Sequence, residues 1–364
     1  MINGSCRFMG HDAVEIDFVM PWVDGSDPAW REEFLKYRAL QAPQGEPACD
    51  TGMAAGVVDV SEERYRDWDT LRYWFRGVEK YAPWVNKVHF ITWGHLPAWL
   101  NTEHPKLHVV KHSDYIPKDY LPTFSSHTIE LNMHRIDDLA EQFVYFNDDT
   151  FLLRPMKPLE FFYNGLPCDS ALTNPAYTMD LSQESQDQRI FYIPYNDIQY
   201  LNRRYTMRTC VKAHPWKWFN VKYGSYLLRN LLLFPWPRFV GFVDSHLPQS
   251  FLKGSFEEAW EDSADILSQT CHNKIRTDHD VNQWYIRYRQ LAEGAFHPVK
   301  PRGAYYQMAE RNEEILQTIK WQRDSMICIN DGPQVGARFE EEKRKLIAAF
   351  ESILPEKSSF ERIP

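Results

Sequence analysis

The chain has 364 residues, of which 43% are hydrophobic and 15% are aromatic, so it can bury a large core and is not a disordered protein. Its 41 Lys and Arg stand against 50 Asp and Glu, and this formal net charge of -9 argues against a nucleic-acid partner. The six scattered cysteines include no C-x-x-C pair, and neither a secretion signal nor an apolar run long enough to span a bilayer is found, so we expect a cytoplasmic protein.

The first predicted element is a strand over residues 14–20 that ends in an acidic turn, Asp24-Gly25-Ser26-Asp27. Residues 39–61 are rich in Ala, Gly and Pro and are predicted to be an inserted loop. A helix over residues 62–81 and strands over 87–93 and 107–110 come next. This alternation favours a parallel sheet with helices on its faces.

A longer helix is predicted over residues 126–142, with Ser126 as its N-cap. Its apolar stripe leaves His127, Glu130 and His134 on the other face, where their spacing would stack them. Such a face is usually only a solvated or hydrogen-bonded surface. Its neighbours along the chain decide whether it has a chemical role.

Asn147-Asp148-Asp149 follows a predicted strand over residues 143–146. Carboxylates at the C-terminal end of such a strand lie where open α/β sheets bind ligands, and they suit Mg²⁺ or Mn²⁺ together with a substrate's phosphates. The same three residues are also typical of a plain turn. On spacing alone, the metal site and the turn are equal alternatives.

Two helices are predicted downstream from their N-terminal signals. One begins with a capping box at Ser255, and the other runs from Asp280 to a stop at Gly294. Arg276 lies just before the second helix, where a guanidinium suits a phosphate, although an isolated arginine is more often a surface residue.

Residues 226–243 form an apolar and aromatic run that contains two prolines and two arginines. The run predicts either a buried helix broken at the prolines or a segment that dips into a membrane interface.

Four blocks of the chain resemble the Stealth family of sugar-1-phosphate transferases, which includes bacterial capsule polymerases and the eukaryotic lysosomal-tagging GlcNAc-1-phosphotransferase. The first block is IDFVMPWVDGSDP, and the second includes LPTFSSHTIELNMHRI and YFNDDTFLLRP. The third includes FEEAW and DVNQWYIRYRQLAEG, and the last is ICINDG with the closing PEKSSFE. The blocks occur in the order expected for the family.

The resemblance implies an α/β fold with a Rossmann-like or GT-A-like nucleotide-sugar-binding core and a largely helical C-terminal portion. Residues 1–165 would form the N-terminal part of this catalytic core, 166–245 an insertion near the acceptor or the membrane, and 246–364 the part that completes the active site.

The implied reaction transfers a sugar-1-phosphate from a UDP-sugar to a hydroxyl of a glycan acceptor and releases UMP, in the synthesis of a capsular or other surface polysaccharide. The alternative is a metal-dependent glycosyltransferase that transfers the sugar alone and releases UDP. A polysaccharide-binding protein without activity would leave the clustered acids, His246 and Arg276 without a purpose.

The resemblance also implies roles for individual residues. Those expected to be catalytic are His246, Arg276, Asp149 and Asp27. Those expected to hold Mg²⁺ or Mn²⁺ are Asp148, Asp149 and Asp331. Those expected to bind the nucleotide sugar are Trp22, Val23, Asp24, Gly25, His127, Glu130, Asn132, His134, Arg135 and Asn147. The enzyme would work in the cytoplasm, and at the inner face of the membrane if the apolar run contacts lipid.

Overall fold

A computed structural model of the protein describes residues 15–41, 67–176, 192–309 and 312–362. The strands in these residues are β1 Ile16–Trp22, β2 Val88–Thr92, β3 Leu107–Lys111, β4 Gln142–Tyr145, β5 Thr150–Leu152, β6 Phe162–Tyr163, β7 Leu166–Asp169, β8 Gln249–Leu252, β9 His297–Pro298, β10 Ala304–Gln307 and β11 Met326–Asn330.

The α-helices in the same residues are α1 Pro28–Gln41, α2 Leu71–Tyr81, α3 His112–Tyr115, α4 Ser126–Leu131, α5 Tyr192–Arg204, α6 Met207–Ala213, α7 Pro215–Trp218, α8 Tyr226–Leu233, α9 Lys253–His272, α10 Gln283–Glu293, α11 Glu313–Lys320 and α12 Phe339–Ile353. Because α5 to α12 all follow residue 191, the largely helical C-terminal portion is confirmed.

The central sheet has five strands in the order β3-β2-β1-β4-β8. The first four are parallel, and β8 pairs antiparallel with β4 at the edge. The predicted α/β class with a parallel sheet is therefore confirmed. The strand order reverses between β1 and β4, and open α/β sheets bind ligands outside the carboxyl ends of the strands at such a point.

Two apolar clusters pack on opposite faces of this sheet. Phe18 and Met20 of β1 belong to one cluster and Val19 to the other, because successive side chains of a strand alternate between the faces. The first cluster joins α2 to α11 and α12, and the second joins the sheet to α9 and α10. The sheet is thus buried on both faces, as a parallel sheet requires.

A second sheet has the order β10-β11-β5, and a third has the order β6-β7-β9. β5 begins directly after Asp149, and its partner β11 runs antiparallel to it, with Cys328 opposite Thr150. The last strand of the chain therefore ends beside the acidic residues that follow β4.

The helix predicted over residues 62–81 begins only at Leu71 among the described residues. Asp69 has a positive φ of 54°, which a right-handed helix does not accommodate, and its N–H donates to Asp67 Oδ1 at 2.7 Å. Residues 62–66 and most of the loop predicted over 39–61 lie outside the described residues, while 39–41 belong to α1.

The single helix predicted over residues 126–142 is wrong, because α4 ends at Leu131 and a 3-10 turn, Met133–Arg135, follows it. The Asn132 side chain donates to the Thr128 carbonyl at 2.8 Å and so competes with the helical hydrogen-bond pattern. Ser126 is the first helical residue, and Ser125 occupies the cap position. The apolar spacing predicts a continuous helix, but such spacing carries no information about a side chain that hydrogen-bonds to a backbone carbonyl.

The N-terminal signals of the two later helices are also wrong in detail. α9 begins before Ser255, at Lys253, where Glu141 Oε1 accepts the N–H of Gly254 at 3.2 Å. α10 is capped by Asn282, whose side chain accepts the N–H of Trp284 at 3.0 Å. The predicted stop at Gly294 is confirmed, since this residue has the left-handed φ of 71°.

Residues 226–243 do not form a buried helix. They begin with α8, which ends before the two prolines as predicted, but most of its side chains are exposed. No helix among the described residues is both long and apolar enough to cross a bilayer. The cysteines within the described residues are free thiols: Cys168, Cys210, Cys271 and Cys328.

Candidate active site

Two acidic loops meet at the point where the order of the central sheet reverses. The first follows the end of β1 at Trp22, and the second follows the end of β4 at Tyr145. Since β1 and β4 are parallel neighbours, both loops leave the same edge of the sheet. The two acidic loops that follow strands in the sequence therefore lie along one edge of the sheet.

The first loop is shaped by its own carboxylates. Asp24 Oδ1 accepts the N–H and the hydroxyl of Ser26 at 2.8 and 2.6 Å, and the N–H of Asp24 donates to His95 Nε2 at 2.7 Å. Asp27 Oδ1 accepts the N–H of Trp30 at 2.8 Å and so caps the first turn of α1. The turn at Gly25 is closed by a backbone bond from Asp27 to Asp24 at 3.1 Å.

The cavity beside this loop has a volume of about 250 Å³. Trp22, Asp24 and Arg72 are among its lining residues, together with Asp67 and Trp99. The loop's apolar side chain, Val23, instead packs beneath the loop against the cluster of Trp30, Phe34 and Ile275. Trp22 and Asp24 therefore face a space that a ligand can enter, and Val23 does not line it.

The second loop holds the two acids that the sequence singled out. Desolvation and the neighbouring Asp149 carboxylate raise the pKa of Asp148 to about 7. The Asp148 side chain itself reaches solvent, so the repulsion between the two acids is the firmer of these causes. Desolvation also raises the pKa of Asp149, against the lowering effect of His246 and of the Cys328 thiol. A cation would offset both the desolvation of Asp149 and the effect of its charge on Asp148.

Asp149, His246 and Cys328 bring one polar atom each to within 4.8 Å of one another. The Cys328 thiol donates to Asp149 Oδ2 at 3.3 Å, and burial followed by the Asp149 charge raises the pKa of this thiol. Asp149 Oδ1 is buried and accepts no hydrogen bond from any residue that the structure describes. Sequence reasoning missed Cys328, although it lies two residues before the Asn330-Asp331 pair that drew attention.

Asp331 follows β11, whose antiparallel pairing with β5 brings it to the loop of Asp148 and Asp149. The N–H of Ile329 donates to the carbonyl of Asp149 at 2.9 Å, which ties the two segments together. Asp331 Oδ1 accepts the N–H of Gly332 at 2.7 Å. Of the three predicted metal-binding acids, Asp149 belongs to the cluster with His246 and Cys328, and Asp148 and Asp331 lie outside that cluster.

His246 is held in an unusual backbone conformation, with a φ of 51°. Its ring meets the edge of Trp284 at a centroid distance of 5.6 Å. Nearby, the buried Arg287 bridges Asp169, by two bonds of 2.8 and 2.9 Å, and Asp244, by one of 2.8 Å. A left-handed residue persists when its surroundings fix it, and the anchored Asp244 lies two residues before His246.

A chain of hydrogen bonds leads from Glu130 to His246. Tyr145 Oη lies 3.0 Å from Glu130 Oε1 and 2.6 Å from Asn147 Oδ1, and Asn147 Nδ2 lies 3.3 Å from His246 Nδ1. The single hydroxyl hydrogen of Tyr145 serves only one of its two neighbours. Every group in this chain of hydrogen bonds has a partner when the Asn147 NH₂ faces Tyr145 and the Asn147 oxygen faces a protonated Nδ1 of His246. In that arrangement Nε2 of His246 carries no hydrogen and can accept a proton.

Arg276 reaches the site from the loop before α10. Its guanidinium donates to the Ser126 hydroxyl at the start of α4, and its charge acts on Asp148 and Tyr145. The same loop is fixed by buried Asp280, whose Oδ2 lies 3.0 Å from His127 Nδ1. The charge of Arg276 therefore acts on Asp148, while His127 supports the loop that carries Arg276.

Three predicted nucleotide-sugar residues lie elsewhere. His134 and Arg135 line a cavity of about 470 Å³ that also includes Lys253, which follows β8 beside the start of β4. This cavity therefore lies at the opposite edge of the sheet from the acids. Asn132 is fully buried, and its Nδ2 lies 3.4 Å from Cys271 Sγ. The stacking of His127, Glu130 and His134 on one helical face is wrong, since α4 ends before His134.

The site fits a divalent cation that prefers oxygen ligands. The orphaned Asp149 Oδ1 and the raised pKa of both adjacent acids are relieved by a positive charge. The Cys328 thiol donates to Asp149 Oδ2, so Oδ1 is the oxygen of Asp149 that has no partner among the described residues. Carboxylate oxygens of this kind suit Mg²⁺ or Mn²⁺.

Two segments of the chain match the models of a known protein family. Residues 14–40 match Stealth protein CR1, conserved region 1, and residues 64–168 match Stealth protein CR2, conserved region 2. The first region contains β1 with its acidic loop, and the second contains α4, β4 and the acid pair. Among solved structures, a complex of the galactosyltransferase LgtC with donor and acceptor sugar analogues is similar over 91% of this chain and 96% of that chain, with a TM-score of 0.34 and 11% identity.

The similarity to curated relatives spans nearly the whole chain. The capsular polysaccharide phosphotransferase WcwK of Streptococcus pneumoniae is 41% identical over 96% of this chain and 98% of its own length. The exopolysaccharide phosphotransferase cps2G of Lactiplantibacillus plantarum is 38% identical over 96% of both chains, and the receptor polysaccharide phosphotransferase WefC of Streptococcus gordonii is 35% identical over 95% of this chain and 99% of its own. Identity at this level and coverage, together with both conserved regions, shows that the chain belongs to the Stealth family.

Proposed function

We propose that the protein transfers a sugar-1-phosphate from a UDP-sugar to a hydroxyl of an acceptor glycan, releasing UMP and forming a phosphodiester. The observation that carries this is the convergence of Asp148, Asp149, His246 and Arg276 at the point where the sheet order reverses. Open α/β sheets bind nucleotides at this place, and acids, a histidine and an arginine are the groups that phosphoryl transfer uses. The choice of sugar phosphate as the transferred group is supported by the names of the relatives.

In this reaction the acceptor oxygen forms a bond to the sugar-bearing phosphorus. The bond between that phosphorus and the bridging oxygen breaks, and the bridging oxygen leaves with UMP. His246 Nε2 takes the hydroxyl proton, because the chain from Glu130 through Tyr145 and Asn147 holds the proton of His246 on Nδ1.

The remaining residues bind and orient the donor. Arg276 contacts the phosphate, where its charge offsets the developing negative oxygens. The nucleotide lies in the cavity lined by Trp22, Asp24 and Arg72. Asp27 acts by capping α1 and fixing the loop that carries Asp24.

Mg²⁺ or Mn²⁺ would be held by Asp148 and Asp149, with Asp331 contributing from β11. When bound, the ion neutralises charge on the diphosphate. The chain's own contribution is to keep one oxygen of Asp149 uncommitted while the Cys328 thiol holds the other.

The purified protein is incubated with a panel of UDP-sugars, a glycan acceptor and Mg²⁺, and the released nucleotide is identified. We expect UMP in proportion to the phosphodiester product. UDP in place of UMP would show transfer of the sugar alone and would overturn the proposal.

Asp149→Asn is expected to lower turnover by about 10³-fold with an unchanged melting temperature. The matched control, Asp137→Asn, changes an exposed acid at the opposite edge of the sheet and should leave turnover intact.

A further inference from the structure

The charge of the chain is unevenly distributed along the sequence. Residues 198–243 contain eight Lys and Arg and no Asp or Glu, in a protein whose formal net charge is -9. Seven of the eight are exposed: Arg203, Arg204, Arg208, Lys212, Lys222, Arg229 and Arg238. Arg204 is paired with Asp262 at 2.9 Å, and the other exposed cations make this segment positive in an otherwise acidic molecule.

Within this segment, the exposure pattern of α8 is the reverse of the pattern in an ordinary surface helix. Leu228 is 62% exposed and Leu232 is 68% exposed, while Asn230 is 1% exposed. Of the eight residues of α8, all of which the structure describes, Asn230 is the buried one. A surface helix normally buries its leucines and exposes its amide side chains, so α8 exposes the apolar face that other surface helices bury.

The reversal is enforced by hydrogen bonds. Asn230 Oδ1 accepts the N–H and the hydroxyl of Thr173 at 2.8 and 2.9 Å, and Asn230 Nδ2 donates to the carbonyls of Ala171 and Trp218 at 2.7 and 2.8 Å. All four bonds are buried, and leaving these groups unpaired would be costly. The side chain of Asn230 therefore fixes the rotation of α8 and keeps its leucines outward.

Apolar side chains that flank α8 along the chain are exposed as well. Val221 is 85% exposed, and Trp216 and Trp236 are more than half exposed. We call the set of Trp216, Val221, Leu228, Leu231, Leu232 and Trp236 the α8 surface.

Basic side chains border the α8 surface. Lys222 is the next residue to Val221, and Arg229 lies within α8. The guanidinium of Arg208 donates to the carbonyl of Pro235, beside Trp236, and Arg238 follows two residues later. Leucine and tryptophan with a border of Arg and Lys are typical of segments that lie in the interface of an anionic membrane.

We infer that the α8 surface docks onto an anionic lipid bilayer, with Leu228, Leu231, Leu232 and Trp236 in the interfacial layer and the bordering Arg and Lys on the lipid phosphates. A second copy of the chain fits less well, because a symmetric contact between two such surfaces would bring their positive borders together. The inference rests on exposure and charge, and it does not depend on the proposed reaction.

The full chain is mixed with vesicles of phosphatidylglycerol and phosphatidylcholine, or of phosphatidylcholine alone, and the bound fraction is measured by sedimentation. We expect binding to the anionic vesicles, about tenfold or more weaker binding to the neutral ones, and a decrease with added salt. The double change Leu228→Gln with Leu232→Gln, and separately Arg229→Glu, should each weaken binding about tenfold.

Matched controls carry the same changes elsewhere on the surface. Leu159→Gln alters a leucine that is also 62% exposed, and Lys118→Glu reverses an exposed charge far along the chain from the α8 surface. Both should bind like the unchanged protein. Equal binding by the α8 variants and the controls would overturn the inference. So would a dimer in light scattering that the α8 changes dissociate, since it would show a second copy as the occupant.

Discussion

In the proposed reaction, Tyr145 lies outside the reacting groups but governs one of them, His246. Its hydroxyl stands between Glu130 and Asn147, and Asn147 contacts His246. Burial and the Glu130 charge raise the pKa of Tyr145 well above its ordinary value, so the hydroxyl keeps its proton. When the Asn147 amide donates to this neutral hydroxyl, its oxygen is left to accept the hydrogen of His246 Nδ1.

Tyr145→Phe removes the hydroxyl and leaves the ring. We expect kcat to fall about 10- to 100-fold with little change in KM, because His246 loses its preferred tautomer but the donor still binds. The pH dependence of kcat should shift as well, which a loss of packing alone would not produce. The control is Tyr285→Phe, which removes another buried hydroxyl, 2.8 Å from Ser263 Oγ, outside this chain of bonds. If both variants lose activity equally, the role assigned to Tyr145 is wrong.

At the scale of elements, β1 holds the carboxylate of Asp17 in the middle of the central sheet. Asp17 is fully buried and accepts hydrogen bonds from His89 Nε2 at 3.0 Å and the N–H of Ala140 at 2.8 Å. The Asn86 side chain and the N–H of Lys87 donate to its other oxygen at 2.8 and 3.0 Å. β1 is thereby fastened both to β2 and to the segment before β4, the two strands that flank it.

Asp17→Asn breaks this arrangement and should lower the free energy of unfolding by about 3–5 kcal/mol, measured by urea denaturation. Glu15→Gln, at an exposed acid two residues earlier, should change it by less than about 0.5 kcal/mol. A small loss for Asp17→Asn would show that the neighbouring donors find other acceptors.

The same variant tests the pH dependence. Burial would raise the pKa of Asp17, but the bonds from His89, Ala140 and Asn86 outweigh it and lower the pKa. A lowered native pKa stabilises the fold above the unfolded value of about 4, and this contribution is lost as the pH falls through the native pKa. The difference in unfolding free energy between wild type and Asp17→Asn should therefore be full near neutral pH and shrink below about pH 4. A difference that grows on acidification would contradict this sign.

At the scale of the whole molecule, a buried ion pair joins the C-terminal segment to α2. Arg76 of α2 donates to both carboxylate oxygens of Glu361 at 2.7 and 3.1 Å, and to the Leu354 carbonyl at 2.9 Å. The ring of Phe360 packs against Phe75 at a centroid distance of 5.2 Å. The C-terminal segment thus closes the core over α2.

Glu361→Gln removes the buried counter-charge of Arg76 and leaves the guanidinium with the half-exposed Glu351, 3.0 Å away, so we expect a loss of about 3 kcal/mol in unfolding free energy. Glu356→Gln changes an exposed acid of the same segment and serves as the control. Thermal unfolding should remain a single transition at a lower temperature if the segment is part of one cooperative core. A separate early transition would show that the C-terminal segment unfolds alone.

Sequence patterns with a local cause were reliable. β1, β2 and β3 were predicted from short apolar runs, and the stop at Gly294 from glycine's tolerance of a positive φ. Predictions failed where a distant or competing group intervened. Asp280 has cap composition, but its carboxylate is used by His127 and the Thr277 loop, so Asn282 caps α10 instead.

The sequence by itself determined the α/β class, the two acidic loops at strand ends and the family. These depend on periodicity, turn composition and motifs, which are properties of neighbouring residues. Only the tertiary structure decided that the Cys328 thiol hydrogen-bonds to Asp149, 179 residues away. It also placed His134 and Arg135 at the other edge of the sheet. It also decided that the leucines of α8 face outward, because one buried asparagine fixes the rotation of that helix. Such pairings depend on strand order and packing, which no local pattern records.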